Sequence, residues 1–429
     1  MSNFKKITIS AIILTGILLN VFFIPFFGTG DTRYFVKTAA VTNFLGPREA
    51  FEVFNLNYPP FSSIILWLSG VLSRTNFPNE WLDLLPTSQE IGNKYIPVKF
   101  TIVFVFFLFA AMTLWFQLKI RKSGWVKATK NSAFIFLNPA FILSSSLLGY
   151  VDIFIAPFLF LTFYFLQKRE YFLTGLLFSV SFLTKLFPIF LLPLFLAYFS
   201  EISKTKEYLK INIKDLIQFI LGVGLGLTGV FLAYDSESLF AVIRASAQHG
   251  QSLSSNAFNL GWIIKELFHY ESGAPKIIFS TLKIAFLIIL ALLSIKVISG
   301  EKTTKNLLYV STLVMSSYFV FFTGVHENHL ITALILSSIL YVFYPSKKTK
   351  MILTSLSFFV FMNLFLFYGI GGILIGGKEV LVAPRTYFAK PTMFLSITLS
   401  VFITFWLIKL LKDQVLFLIE KVLFLFKRR

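Results

Sequence analysis

The stretch "TGVHENHLI", residues 323–331, sets two histidines and a glutamate between the apolar runs "LLYVSTLVMSSYFVFF" and "ITALILSSILYVFY". The chain holds 4 histidines, so His326 and His329 are half of them. The spacing is not HExxH, which argues against a zinc-protease site. His326 and His329 are three positions apart and can share one helix face. Three readings stand side by side: metal ligation, an anion-binding cluster for a phosphate, and interfacial packing. In the second, Glu327 keeps a histidine protonated and so strengthens its hydrogen bond to phosphate.

Further candidates are spread along the chain. Asp31 follows Gly28–Thr29–Gly30 and opens a weakly amphipathic segment running to Leu45. It reads as a helix N-cap, as a general base at a membrane surface, or as both. Asp152, in "LLGYVDIF", caps the next helix or is an interfacial carboxylate in need of a partner. Lys185 interrupts the apolar run "SFLTKLFPIFLLP"; it either snorkels or holds an anion. Arg244, His249, Asn256, Asn259 and Trp262 lie in "RASAQHGQSLSSNAFNLGWIIKEL". An amphipathic surface helix accounts for part of that segment. Asparagine amides also suit sugar hydroxyls, and Trp faces suit sugar rings or lipid interfaces.

These residues have to be positioned by a membrane protein. Of 429 residues 56% are hydrophobic, and 55 are phenylalanine. A soluble domain could not hide that much apolar surface. The net charge of +19, from 39 Lys+Arg against 20 Asp+Glu, would suggest nucleic acid in a soluble chain. Here the lysines fall between hydrophobic runs, where they mark the cytoplasmic side, and no nucleic-acid partner is expected. The absence of cysteine excludes disulfides and thiol catalysis. The first run, "ITISAIILTGILLNVFFIPFF", is too long for a signal-peptide core and reads as a retained helix. No Walker loop, GxGxxG followed by an acid, GxSxG or internal repeat occurs.

Spans are expected near 7–27, 97–118, 131–148, 153–168, 170–184, 186–200, 215–234, 276–298, 306–323, 328–344, 350–370 and 392–412, about twelve in all. With both termini cytoplasmic, "KIRKSGWVKATK", "QKRE", "SKTKEYLKINIK", "GEKTTK", "SKKTK" and the tail ending "KRR" fall inside. The outer segments include a first loop, 28–96, and a large loop, 235–275. The run 58–72 is too short for a span and reads as re-entrant or lying on the outer face, started by its proline pair. The expected fold is thus an all-α integral membrane bundle with extracytoplasmic loop helices, in one polytopic domain, 1–429. The candidate polar groups share the extracytoplasmic face, where ionisable groups at membrane depth are expensive and functional.

The order of an acid after the first span, "YPP", "GYVD", "LTKLFPIFLLP", "NAFN" and "HENH" resembles the GT-C glycosyltransferases that use a polyprenyl-phosphate sugar. The likeness is nearest to bacterial polyprenyl-phosphate-mannose and -hexose transferases. Dolichyl-phosphate-glucose transferases of the endoplasmic reticulum also have a His-Glu pair in a comparable loop. The resemblance covers nearly the whole chain, most strongly residues 28–62, 138–193 and 254–330. It makes Asp31 the catalytic aspartate of the first loop, and Tyr58, Pro59 and Pro60 the motif that shapes that loop. Asp152 matches an acid that a Gly-Gln pair usually precedes; Gly149, Tyr150 and Val151 stand there instead. Lys185 matches the lysine ahead of a proline-containing helix, Asn256 and Asn259 match the "NAFN" element, and His326 and Glu327 match the His-Glu pair. Asn328 stands where many members carry a basic residue.

The resemblance implies a membrane hexosyltransferase that moves a hexose such as mannose to a glycan, lipid or protein acceptor on the extracytoplasmic face. Inversion at the anomeric carbon follows from a single displacement. Asp31 is the expected base, and Lys185, Arg244, His326 and His329 the expected phosphate clamp. No cofactor is expected, and a divalent cation is not favoured. A bacterial inner membrane is the expected location. The competing reading is a multi-span transporter or lipid-linked-sugar flippase. Such proteins often show repeats and midplane binding groups, which this sequence lacks.

Overall fold

A computed structural model describes residues 3–54, 58–74, 76–82, 85–202, 209–234, 252–270, 274–369, 371–375, 378–382 and 389–427. The longer helices are α1 (Asn3–Phe22), α2 (Asp31–Phe54), α3 (Pro60–Ser73), α4 (Ile96–Trp115), α5 (Trp125–Phe136), α6 (Ile155–Gln167) and α7 (Tyr171–Thr184). They continue with α8 (Ile213–Ala233), α9 (Leu260–Phe268), α10 (Lys276–Ser299), α11 (Thr304–Phe321), α12 (Ile331–Phe343), α13 (Lys347–Tyr368) and α14 (Ala389–Lys427). Two short antiparallel hairpins interrupt the helical pattern. One pairs β1 (Ser200–Ile202) with β2 (Leu209–Ile211), and the other pairs β3 (Gly371–Ile375) with β4 (Lys378–Val382).

Among the described residues, 5 helices are long and apolar enough to cross a membrane: Ile96–Ile120, Ile213–Ala233, Lys276–Ser299, Lys347–Tyr368 and Lys390–Leu416. A sixth span is possible if Pro139–Leu147 and Val151–Gln167, bent by 107°, count as one. The chain is an all-α integral membrane protein in this sense. The spans expected near 7–27, 170–184, 186–200 and 328–344 correspond to shorter apolar helices, α7 and α12 among them, and α3, over the run 58–72 that was not expected to cross, is another short apolar helix. Helix α12 is buried on every side, so it is apolar all round because protein surrounds it.

Local sequence accounts for where the helices begin and break. Pro60 occupies the first position of α3, where a missing N–H costs nothing. Thr303 accepts from the Asn306 amide to cap α11, and Ser346 forms a reciprocal capping box with Thr349 at the start of α13. Helix α2 is broken at Gly46, whose backbone leaves the helical region just before Pro47. That is where the amphipathic pattern opened by Asp31 runs out.

Helix α7 matters most for the site, because Lys185 follows its last residue. It lies against α8 along small residues, the arrangement by which membrane helices approach closely. A Cβ on Gly175 would meet the Phe219 carbonyl oxygen at 2.0 Å, and one on Gly222 the Phe172 carbonyl oxygen at 2.0 Å. Gly224, on the same helix, faces open space. Gly222→Val is therefore expected to lower stability by about 1–3 kcal/mol through overpacking, while Gly224→Val has a much smaller effect. Thermal unfolding of the two variants in detergent measures the difference; equal midpoints would show that the α7–α8 contact is not tight.

Candidate functional site

The candidate polar residues that fall within the described chain converge at one end of the bundle. The bend between Pro139–Leu147 and α6 supplies Asp152. Its backbone is tied by the Tyr150 amide donating to the Ser144 carbonyl at 2.8 Å and the Leu148 amide donating to Leu143 at 2.8 Å. Beside it runs the turn that precedes α2, where the Thr29 amide donates to the Leu148 carbonyl at 3.3 Å. Two glycines make this close approach possible. Gly28 has φ +91°, and a Cβ there would lie 2.4 Å from the Leu148 carbonyl oxygen; Gly149 has φ +76°, and its Cβ would lie 2.9 Å from Cδ of Lys99. Side chains are strained at such φ values even where space allows.

Asp152 is fully buried and faces Lys185. The lysine Nζ stands 3.1 Å from Oδ1 and 3.2 Å from Oδ2, and the Asn328 amide donates to Oδ2 at 2.9 Å. Lys185 is 7% exposed, so it does not snorkel. Its Nζ lies 5.3 Å from the centre of the Tyr58 ring and 5.4 Å from that of Phe187, a cation–π arrangement. Helix α3 anchors the same point, since the Ser62 hydroxyl donates to the Thr184 carbonyl at 2.6 Å. The Phe35 ring meets Tyr58 edge-on at 5.4 Å, which links α2 to the lysine's aromatic wall. Asp152 thus acts as an ion-pair partner rather than a helix cap.

Glu327 is also buried, in a different environment. Its Oε1 accepts from the Tyr150 hydroxyl at 2.6 Å and from the Tyr368 hydroxyl at 2.8 Å, while Oε2 has no hydrogen-bond partner among the described residues. Burial raises its carboxyl to about 7, and the tyrosine hydrogen bonds oppose that rise. It is therefore not held as the firm anion that would keep a neighbouring histidine charged.

Asp31 lies in the first turn of α2, where the helix N-terminus favours negative charge. Burial raises its carboxyl above the usual range; Lys185 counteracts this and Asp152 adds to it. Both groups are therefore close enough to be felt. Among the described residues the Asp31 side chain has no hydrogen-bond partner, and it is only partly buried. Tyr58, half-buried beside these carboxylates, has its hydroxyl raised well above the usual range, chiefly by its withdrawal from water.

The histidines pack more than they project. His329 is buried, with its ring centre 3.8 Å from that of Phe187 and its Nδ1 3.3 Å from the Tyr318 hydroxyl. The His326 amide donates to the same Nδ1 at 3.3 Å, and the two imidazole centres are 5.3 Å apart. His326 is partly buried. The loop 252–259 docks here: the Ser255 amide donates to the Val325 carbonyl at 2.9 Å, and the Gly324 amide to Ser252 at 2.8 Å. Asn256 sits on that loop at φ 69°. Asn259 is fully engaged within the chain. Its Oδ1 caps α9 by accepting from the Trp262 amide at 2.9 Å, and its Nδ2 donates to the Phe319 carbonyl at 2.9 Å. The Trp262 indole N–H donates to Ser396 at 3.0 Å. Arg244 and His249 lie outside the described residues. Among the described residues no group of three or more His, Asp or Glu is placed to hold a metal ion.

Three site neighbours escape sequence reasoning. Tyr368 reaches Glu327 from the end of α13. Asn363 accepts from the Phe258 amide at 2.7 Å and donates to the Glu327 carbonyl at 3.0 Å, joining two loops. Lys99 is fully buried; its Nζ donates to the Phe26 carbonyl at 2.9 Å and the Leu147 carbonyl at 2.6 Å. It pins together the two turns that present Asp31 and Asp152. The available signal was a lysine near the start of the apolar run "KFTIVFVFF".

No protein-family model matches the sequence, and no curated protein matches it.

Two outcomes follow. Removing one partner of a buried ion pair costs about 3–5 kcal/mol, so Lys185→Met alone should be strongly destabilising. Lys185→Met/Asp152→Asn should lose less than the sum of the single variants, and additive unfolding energies would mean that the pair is not coupled. For Glu327 the sign follows from a folded-state carboxyl near 7 against an ordinary 4.5. The folded protein holds the proton longer than the unfolded chain, so stability falls as pH rises from about 4.5 to about 7 and levels off above. Melting midpoints of Glu327→Gln across that range should lack this slope.

Proposed function

We propose that this chain is a membrane hexosyltransferase of GT-C type, drawing a hexose from a polyprenyl-phosphate sugar. The observation that carries the reading is the division among three neighbouring carboxylates. Asp152 is held by Lys185 and Asn328, and Glu327 by Tyr150 and Tyr368. Asp31 is left without a hydrogen-bond partner among the described residues and is partly exposed. A general base must be both near its substrate and uncommitted, and Asp31 meets the second condition where the others do not.

In this reading the acceptor hydroxyl oxygen attacks the anomeric carbon while its proton passes to Asp31. The bond from that carbon to the phosphate oxygen breaks, and polyprenyl phosphate leaves with the electron pair. Lys185, oriented by Asp152, offsets the growing negative charge on the phosphate, and His326 and His329 flank that position. A donor with phosphate as leaving group needs no strong general acid. Oε2 of Glu327, unpartnered among the described residues, is suited to hydrogen-bond a sugar hydroxyl, because a buried polar atom without a partner carries a desolvation cost that a ligand can relieve. Arg244 is assigned to the same clamp on the resemblance alone. The fuller arrangement belongs to this proposal too: about twelve crossing segments, both termini cytoplasmic, and the site on the extracytoplasmic face of a bacterial inner membrane.

The test is Asp31→Asn, which keeps the shape of the side chain but cannot take a proton. Sugar transfer per folded protein from a polyprenyl-phosphate hexose should fall by about 10²- to 10⁴-fold, with the melting midpoint nearly unchanged. Near-normal transfer by the variant would remove Asp31 as the base. Movement of the lipid-linked sugar across vesicles without transfer by the wild type would favour the flippase reading instead.

A further inference from the structure

A second feature lies away from these acids, between α1, α5 and α13. It is a cleft of about 590 Å³, open at one side, within the size range of lipid and cofactor sites. Its walls are apolar, with Ile12, Leu137, Leu353, Phe358 and Phe361 prominent among them. Its only strongly polar wall feature away from the rim is internally satisfied, for the Ser357 hydroxyl donates to Asn138 Oδ1 at 2.6 Å. Of the helices that line it, α13 is long and apolar enough to cross a membrane, and the walls beside it are apolar, so water is a poor occupant and a hydrocarbon chain a good one.

The rim adds charge. Lys130 lines the cleft, and Lys350, one turn into α13, sets its Nζ 4.5 Å from the centre of the Phe134 ring, itself part of the lining. Both lysines are exposed, and no carboxylate is among the lining residues. They flank the same end from two different helices. Trp125, 55% exposed at the start of α5, stands at that end, as aromatic side chains do at a membrane interface. Basic pockets between spanning helices recruit anionic lipid headgroups.

We infer that this cleft is a binding site for an anionic phospholipid of the leaflet on the lysine-rich side, with one acyl chain between α1, α5 and α13 and the phosphate between Lys130 and Lys350. The site is independent of the reading proposed for the acids at the other end of the bundle. Charge complementarity at the rim decides for an anionic lipid over a neutral one, and the apolar depth decides for a lipid over a free anion.

Native mass spectrometry of the full chain with phosphatidylglycerol or phosphatidylcholine tests it. The wild type should retain phosphatidylglycerol in preference. An exposed lysine near an anionic surface contributes about fivefold, so Lys130→Gln/Lys350→Gln should lower that preference by roughly 10- to 30-fold. Lys119→Gln/Lys409→Gln, which removes the same charge elsewhere, should leave it in place. Thr354→Trp, which fills the cleft from its exposed edge, should reduce retention of both lipids while the lysines remain. The inference is overturned by equal retention of the two lipids, by a preference that survives Lys130→Gln/Lys350→Gln, or by inorganic phosphate displacing the lipid at millimolar concentration. All four proteins are compared at matched melting midpoints, so misfolding is read directly.

Discussion

The contact on which the site depends is the buried pairing of Asp152 with Lys185. Each charge removed from water costs several kcal/mol unless it is closely matched. Here the match is made by two short oxygen contacts, an amide from Asn328 and two aromatic faces. The pair joins three stretches that are far apart in sequence: the 107° bend before α6, the end of α7, and the loop before α12. Its demands pass outward. Lys185 is in place only if α7 stays seated, which the close α7–α8 contact and the Ser62 bond to Thr184 secure. Asp152 is in place only if the bend is kept, which Gly149 permits and Lys99 holds.

One lysine cannot neutralise three carboxylates, and the chain resolves this by giving each a different environment. Asp152 receives the cation. Glu327 receives two phenol donors and, with burial dominant, keeps its proton up to about 7. Asp31 receives the N-terminus of α2 and partial access to solvent. Separate environments are how like groups in one site come to hold different protonation states at one pH.

The groups with chemical potential were legible because a charged residue in so apolar a chain is conspicuous. Asp31, Asp152, Lys185 and Glu327 stand out by contrast, and the structure brings them close to one another. The start of α3 was legible from Pro59–Pro60, and the amphipathic segment expected to run to Leu45 ends where α2 breaks at Gly46. What stayed hidden was pairing. Nothing in "NAFN" distinguishes a sugar-binding amide from one that caps α9 and braces Phe319, because the same donor and acceptor serve both uses. Lys99 was absorbed into the edge of a span, since hydropathy treats a lysine near a helix end as flanking charge. The bend at residues 148–150 was invisible for a related reason: two apolar segments with a short gap look alike whether they form two spans or one broken one.

Apolar length also has a limit as a measure of topology. Thirteen residues of α12 extend about 20 Å, short of the roughly 30 Å hydrocarbon layer, yet every one of them is buried. Such a helix needs no match to the bilayer, because its neighbours are other helices. Its start is set instead by the loop that carries Glu327, Asn328 and His329, whose side chains reach toward Tyr150, Asp152 and Tyr318. The same segment that is too short to define a membrane crossing is thus placed by polar contacts at one end. In this chain the site fixes the position of its innermost helix as much as the helix fixes the site.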